Sequence, residues 1–270
     1  MARIQARTDA VVLRTRRQGE TGKLVTLFTE DHGKLRVMAN GARRPKSRFA
    51  GCLEVGWSVH IACSMRDDRD LHTLSEAELV RSRPALVADL RRLSYAAAAC
   101  EIVDRLTIEH EASRRLFRCL TGVLGGLEEV EEPQLESLFW YYQLRVAEAL
   151  GYRPELEACV LCGSPPGSGP GWFSPALGGV LCRGCARSEA ASDRAAPGDF
   201  GGARRVAGDG LRLLAELQGL RSYRREAIPP APAALTGEIR GLLRGFLEYH
   251  AGTRGRLRSL EFLDTLKGRG

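Results

Sequence analysis

Leu24-Val25-Thr26-Leu27-Phe28-Thr29-Glu30-Asp31-His32-Gly33-Lys34-Leu35-Arg36-Val37-Met38-Ala39 is the stretch that decides the fold. It opens with β-branched, aromatic and leucine residues, the composition of a strand, and Asp31-His32-Gly33 supplies turn residues. Leu35, Val37 and Ala39 then alternate with Arg36 and Met38, the period of a strand with one buried face. The pattern extends both ways. Upstream, Val11-Val12-Leu13 falls within a strand at 10–14, and Gly19-Glu20-Thr21-Gly22 makes a turn. Downstream, Val55, Trp57, Val59, Ile61 and Cys63 alternate over nine residues, and 71–79 supplies a fifth strand. Five short strands within about eighty residues fit a small Greek-key barrel of the OB kind. An SH3-like barrel would give nearly the same string.

At Arg83-Pro84 the period changes to that of helices. Leu86, Leu90, Leu93, Ala97 and Cys100 form one apolar stripe, Leu116, Leu120, Val123 and Leu127 a second, and Leu135, Leu138, Tyr142 and Val146 a third. Gly151 stands where a helix C-cap is expected. Stripes return with Leu211, Leu214 and Leu217, and with Ile239, Leu242, Leu243, Phe246 and Leu247. Gly, Pro and Ser crowd 163–179, and a second loop-like patch covers 195–202. The expected fold class is therefore α+β and multidomain. An OB barrel at 1–80 is followed by a mostly helical domain at 81–270, with a cysteine-bearing insertion at about 152–203. No internal repeat is visible.

That insertion holds Cys159-Val160-Leu161-Cys162 and Cys182-Arg183-Gly184-Cys185, two C-x2-C knuckles separated by nineteen residues. Each knuckle offers two thiolates to one side of a tetrahedral ion, so Cys159, Cys162, Cys182 and Cys185 are expected to bind one structural Zn2+. Four thiolates leave no coordination position for a reacting water. Gly163 and Gly184 are expected to ease the turns. Two disulfides or four free thiols are the alternatives. A redox C-x-x-C reading lacks the expected context, a pair that follows a strand and opens a helix within a βαβ unit. Cys52, Cys63, Cys100 and Cys119 read as small buried apolar groups.

The chain carries 40 Lys+Arg against 33 Asp+Glu, a formal charge of +7, which favours a polyanionic partner without naming it. Segregation says more than the total. Arg43, Arg44, Lys46 and Arg48 crowd the loop after the third strand, which Pro45 is expected to hold partly extended. Arg14, Arg16, Arg17 and Lys23 flank the first hairpin, and Lys34 and Arg36 lie in the third strand. Before residue 50 the only acids are Asp9, Glu20, Glu30 and Asp31. These ten cations are the expected nucleic-acid contacts, set against an ordinary solvated surface. Phe28, Phe49 and Trp57 are the only aromatic residues near them, so binding should rest on phosphates and weaken with salt. Arg221, Arg224, Arg225, Arg254, Arg256 and Arg258 form a second cationic group that suits either a solvated helix face or DNA.

Several classes are disfavoured. Gly19-Glu20-Thr21-Gly22-Lys23 has the wrong spacing for a phosphate loop and no following Ser or Thr. The cysteines lack the upstream H-x-E of a zinc deaminase, and no nucleophile elbow occurs, so no enzyme is expected. The opening residues carry charge without an apolar segment, and no stretch reaches the ~20 apolar residues of a membrane helix. A soluble, cytoplasmic, nucleoid-associated protein with no membrane partner is expected.

With these residues in view, the sequence resembles the RecO family of recombination mediator proteins over nearly its whole length. The resemblance rests on the segment from Val11 to Asp31-His32-Gly33-Lys34 and on Gly41-Ala42-Arg43-Arg44-Pro45-Lys46-Ser47. It continues through Gly151-Tyr152-Arg153-Pro154-Glu155-Leu156, Phe173-Ser174-Pro175, Gly178-Gly179 and Arg258-Ser259-Leu260-Glu261-Phe262-Leu263. It implies an OB domain, a helical domain and a zinc module. It further implies binding of single- and double-stranded DNA, annealing of complementary strands, and joint action with RecR. The acidic C-terminal tail of the single-strand-binding protein SSB is an implied partner, and RecA an indirect one. No nucleotide is consumed. The implied tail receptor is a groove on the helical domain rimmed by arginines; the sequence does not fix its residues, Arg240 and Arg244 included. The bland alternative is a basic OB-fold zinc adaptor that binds RNA or a ribosomal surface.

Overall fold

The computed structural model describes residues 4–65, 69–166, 169–190, 202–251 and 257–266. Two compact units emerge, one formed by Met1–Glu128 with Leu257–Gly270 and the other by Glu129–Arg256.

In the first unit, β1 (Ile4–Gln18), β2 (Gly22–Thr29), β3 (Gly33–Ala39), β4 (Ser58–Met65) and β5 (Leu71–Arg81) close a barrel in the order β1-β2-β3-β5-β4. One long strand serves two neighbours: Ile4–Val11 of β1 pairs with β4 and Ala10–Gln18 with β2, with a bulge between Val12 and Arg14. A bulge bends and twists a strand, which lets a small sheet curl onto itself. Closure comes from the parallel pairing of β3 with β5, Arg36 to Leu71 through Met38 to Thr73. All other barrel pairs are antiparallel. This is the expected OB-like barrel.

The alternation in β3 holds, with Gly33, Leu35, Val37 and Ala39 turned into the core. The alternation from Val55 is shorter than expected. Gly56, at φ 83°, turns the chain, and β4 begins only at Ser58. Phe49 and Leu53 from the β3–β4 connection join the barrel core at 2% and 1% exposure. Phe28 is buried as well.

The fully buried Arg83 fixes the barrel exit, donating to the Gly56 carbonyl at 2.6 Å and to the Ser58 hydroxyl at 3.2 Å. What the sequence presented as one stripe from Leu86 is two helices, α1 (Pro84–Ala88) and α2 (Leu90–Leu106). Asp89 between them is extended, and its carboxylate accepts from the amides of Arg91 and Arg92, an N-cap for α2. Of the expected stripe, Leu86 and Cys100 are buried, Leu93 and Ala97 are half-buried and Leu90 is exposed; α2 also buries Tyr95, Ala96, Ala99 and Val103. The α3 stripe (Arg114–Glu129) is buried as expected.

In the second unit, α4 (Leu135–Ala149) is buried almost all round. It ends in a Schellman motif: Gly151, at φ 86°, donates to Glu148 and Tyr152 donates to the Ala147 carbonyl. The cysteine module follows, with β6 (Gly171–Ser174), β7 (Gly179–Leu181), α5 (Arg183–Ala190) and β8 (Arg204–Val206) in the sheet order β7-β6-β8. Helices α6 (Gly208–Gly219) and α7 (Ala233–Ala251) pack against α4. Arg240 of α7 is held by the buried carboxylate of Glu136 on α4, with Nε 2.6 Å from Oε1. A final helix, α8 (Arg258–Leu266), belongs to the first unit and packs on α2. Among the described residues no helix is long and apolar enough to cross a membrane.

Candidate nucleic-acid interface and metal centre

The four cysteines of the module converge, every Sγ lying within 4.8 Å of the others. Cys162 and Cys182, from different knuckles, have their sulfurs 3.7 Å apart. A tetrahedron with Zn–S bonds of about 2.3 Å has sulfur edges of about 3.8 Å, so the donor set fits a soft tetrahedral divalent ion. Burial raises the Cys159 thiol, but the amides of Cys182, Leu161 and Cys162 outweigh it and leave the thiol lowered to about 6. Cys162 is lowered by the amide and hydroxyl of Ser164. Cys185 is pushed up to about 12, first by Cys182 and then by Cys162. Thiols this close oppose one another's ionisation, as the raised Cys185 displays, and a cation among them relieves that opposition. An ion held by all four sulfurs would have a complete coordination shell.

Gly163, at φ 72°, provides the turn after the first knuckle, whereas Gly184 sits in α5 without a positive φ. Gly178 turns at φ 76°, and a Cβ on Gly179 would lie 2.5 Å from the Glu155 carbonyl oxygen. That contact docks the first knuckle's approach on β7. The second knuckle does follow a strand, β7, and opens a helix, α5, contrary to expectation. That local redox context is present, but the two pairs share one four-sulfur site. Cys63 and Cys100 are buried and pushed up by burial to about 11 and 12, while Cys52 and Cys119 are only half-buried.

The barrel cations fall into two groups. Arg43 donates from its backbone to the Thr21 carbonyl at 2.9 Å and from its guanidinium to the Glu20 carbonyl at 3.0 Å. These bonds bring the β3–β4 loop against the β1–β2 turn, where Arg17 pairs across the strands with Lys23 and Arg16 with Leu24. Arg16, Arg17, Arg43, Arg44, Lys46 and Arg48 are exposed, and none has an ion pair among the described residues. The loop is a run of tight turns and not extended: Arg44 donates to Gly41, Ser47 to Arg44 and Ala50 to Ser47. Arg48 lies over the buried Phe49 ring at 4.9 Å.

The remaining four are engaged. Arg14 lies 3.9 Å from Asp104 and Lys23 lies 3.4 Å from Glu54. Arg36 lies 2.8 Å from Glu109 and 3.8 Å from Asp70. The Lys34 side chain is 12% exposed, and its ammonium donates to the carbonyls of Asp104 and Thr107. In the second cationic group, Arg225 pairs with Glu131 at 2.9 Å, Arg221, Arg224 and Arg258 are exposed, and Arg254 and Arg256 lie outside the described residues.

The N-terminal model of recombination protein O matches residues 1–83, and the C-terminal model matches 87–261. The chain belongs to the RecO family. It is 35% identical over 265 residues to the DNA repair protein RecO of Symbiobacterium thermophilum, covering 96% of each chain. The RecO protein of Anaeromyxobacter dehalogenans is 33% identical over 262 residues, 97% of each, and that of Myxococcus xanthus 34% over 257 residues. Several segments that carry the RecO resemblance do structural work. The Asp31-His32-Gly33-Lys34 turn clasps the barrel to the α2–α3 connection. Thr8 and Arg114 both donate to the Asp31 carboxylate, and His110 donates to the Lys34 carbonyl. Sequence reasoning missed this clasp, because Arg114 lies 83 residues from Asp31 in the chain.

Proposed function

We propose that this RecO-family protein is a non-enzymatic DNA repair and recombination mediator that binds single- and double-stranded DNA. One observation carries the reading: Arg16, Arg17, Arg43, Arg44, Lys46 and Arg48 gather at one end of the barrel, exposed and without carboxylate partners among the described residues. Such a patch attracts phosphates and releases their counterions. With Phe28 and Phe49 in the core and Trp57 half-buried, there is little aromatic surface to stack on bases, which stay free to pair. Neutralised backbones with free bases favour annealing of complementary strands. Its relatives are DNA repair proteins, which supports the repair assignment, and the family resemblance supports work with RecR, capture of the SSB tail and assistance to RecA on SSB-coated DNA.

The metal is read as one structural Zn2+ held by Cys159, Cys162, Cys182 and Cys185, fixing the module's two knuckles. The test of function is annealing of two complementary oligonucleotides, with and without SSB, across a salt series and without ATP. Fast annealing that fades with salt supports the reading; a rate equal to spontaneous pairing with intact binding overturns the annealing role. RNA offers the same phosphates, so matched RNA oligonucleotides test the adaptor alternative.

A further inference from the structure

The cysteine module carries exposed arginines that the barrel reading leaves unused. Between Glu157 and Glu189 the sequence contains no Asp or Glu, yet it contains Arg183 and Arg187. In the three-stranded sheet, Trp172 of β6 pairs with Leu181 of β7 on one side and Arg205 of β8 on the other. Cross-strand partners share a sheet face, so these three side chains project to the same side. On that side Leu181, Cys159 and Ala186 form a small core, and the half-buried Trp172 packs against it with Cys182 and Cys185. Arg183 and Arg187 lie one turn apart on α5, both exposed, and Arg205 is exposed on the edge strand. None of the three has an ion pair among the described residues.

We infer that the cysteine module is a second nucleic-acid surface, in which Arg183, Arg187 and Arg205 hold the phosphates of a strand passing Trp172. The inference rests on the proposed function and deepens it. A protein that neutralises phosphates on two separate units can hold two strands at once, which one barrel patch alone does not explain. The metal then has a purpose beyond stability: it fixes α5 and the sheet that carry the arginines. The competing explanation is charge balance, because four thiolates around a divalent ion leave two negative charges beside the arginines.

The test uses the full, metal-loaded chain carrying Arg183→Gln, Arg187→Gln and Arg205→Gln together, beside the unaltered protein and a barrel variant. Binding of a single-stranded oligonucleotide should keep its metal stoichiometry while its salt slope becomes shallower by about 2, from three lost phosphate contacts. Annealing should slow by more than single-strand binding weakens. An unchanged slope and unchanged annealing overturn the inference, as does metal loss with unchanged binding, which assigns the arginines to charge balance. Should the triple variant lose both metal and binding, Arg205→Gln alone decides. It lies outside the cysteine-bearing segment and should cost a slope of about 0.7; no change there overturns the inference. Failure of the unaltered protein to bind DNA sinks the proposed function itself. Binding that only the barrel variant weakens leaves that function standing and removes the module from it.

Discussion

The ammonium of Lys34 donates to the carbonyl oxygens of Asp104, at 2.6 Å, and Thr107, at 2.7 Å, closing the C-terminal end of α2 from a strand of the barrel. The last carbonyls of a helix lack partners within it, and a cation there also meets the negative end of the helix dipole. Replacing Lys34→Met should lower unfolding stability by about 2 kcal/mol, the worth of hydrogen bonds to a charged group. DNA affinity should hardly move. Denaturant unfolding beside an anisotropy titration separates the two, and a large loss of affinity in a stable variant would return Lys34 to the phosphate contacts.

Reversing Arg43, Arg44, Lys46 and Arg48 to Glu should have the opposite profile. These side chains are exposed, so the melting temperature should stay within a few degrees while DNA binding is lost even at low salt. Retained low-salt affinity in the folded variant would remove the loop from the interface.

His72 is 3% exposed on β5, and among the described residues neither ring nitrogen has a hydrogen-bond partner. The His110 ring stands edge-on at 5.1 Å. Burial and then His110 lower the His72 pKa, against the opposing pull of Glu109 and Asp70. The unfolded chain therefore binds this proton more readily than the folded one. Stability from a neutral His72 is fully present above the unfolded value of about 6.5 and declines as pH falls below it. Urea midpoints should drop between pH 7.5 and 5.5, and less so in His72→Leu, which leaves no buried ring nitrogen to protonate. Equal pH dependence in both proteins would show that other groups set the acid limit.

Chelation should unfold the cysteine module, because metal affinity at such sites is folding free energy. One Zn2+ per chain should be released together with four titratable thiols, and the far-ultraviolet signal of α5 should fall. A chelated, metal-free protein with an unchanged melting curve would contradict the structural role.

The Glu136–Arg240 pair should show a buried pair's asymmetry. Arg240→Met alone should cost about 3–5 kcal/mol by removing the cation that faces the buried Glu136 carboxylate, and adding Glu136→Leu should recover much of that. A denaturation cycle over the four proteins measures the coupling. Near-zero coupling would mean that the two side chains act independently.

Alternation made the barrel legible because a buried face demands period two, as Leu35, Val37 and Ala39 display. The closing β3–β5 pair was not legible, since parallel pairing of Val37 with His72 leaves no local mark. The split at Asp89 was missed because an apolar stripe is indifferent to a one-residue break, although Asp is a good N-cap. The cysteine cluster was legible in its spacing, since two C-x2-C knuckles anticipate four close sulfurs; that the second knuckle follows β7 and opens α5 was not. The cations were legible as charge and illegible as roles. Lys34 and Lys46 look alike in the sequence, and only the distant carbonyls of α2 distinguish them.

Glu101 on α2 accepts the amides of Arg258 and Ser259 at 3.2 and 2.6 Å, capping α8 while Leu257, Leu260 and Leu263 are buried. The barrel-bearing unit is therefore discontinuous, and residues 129–256 are a guest inserted into it. During synthesis the host must wait: α2 emerges early but meets its last helix only after the whole guest has been made. Order of translation and order of completion run in opposite directions. The unit that begins first finishes last, and its final seam is sealed by a carboxylate that has been waiting since residue 101.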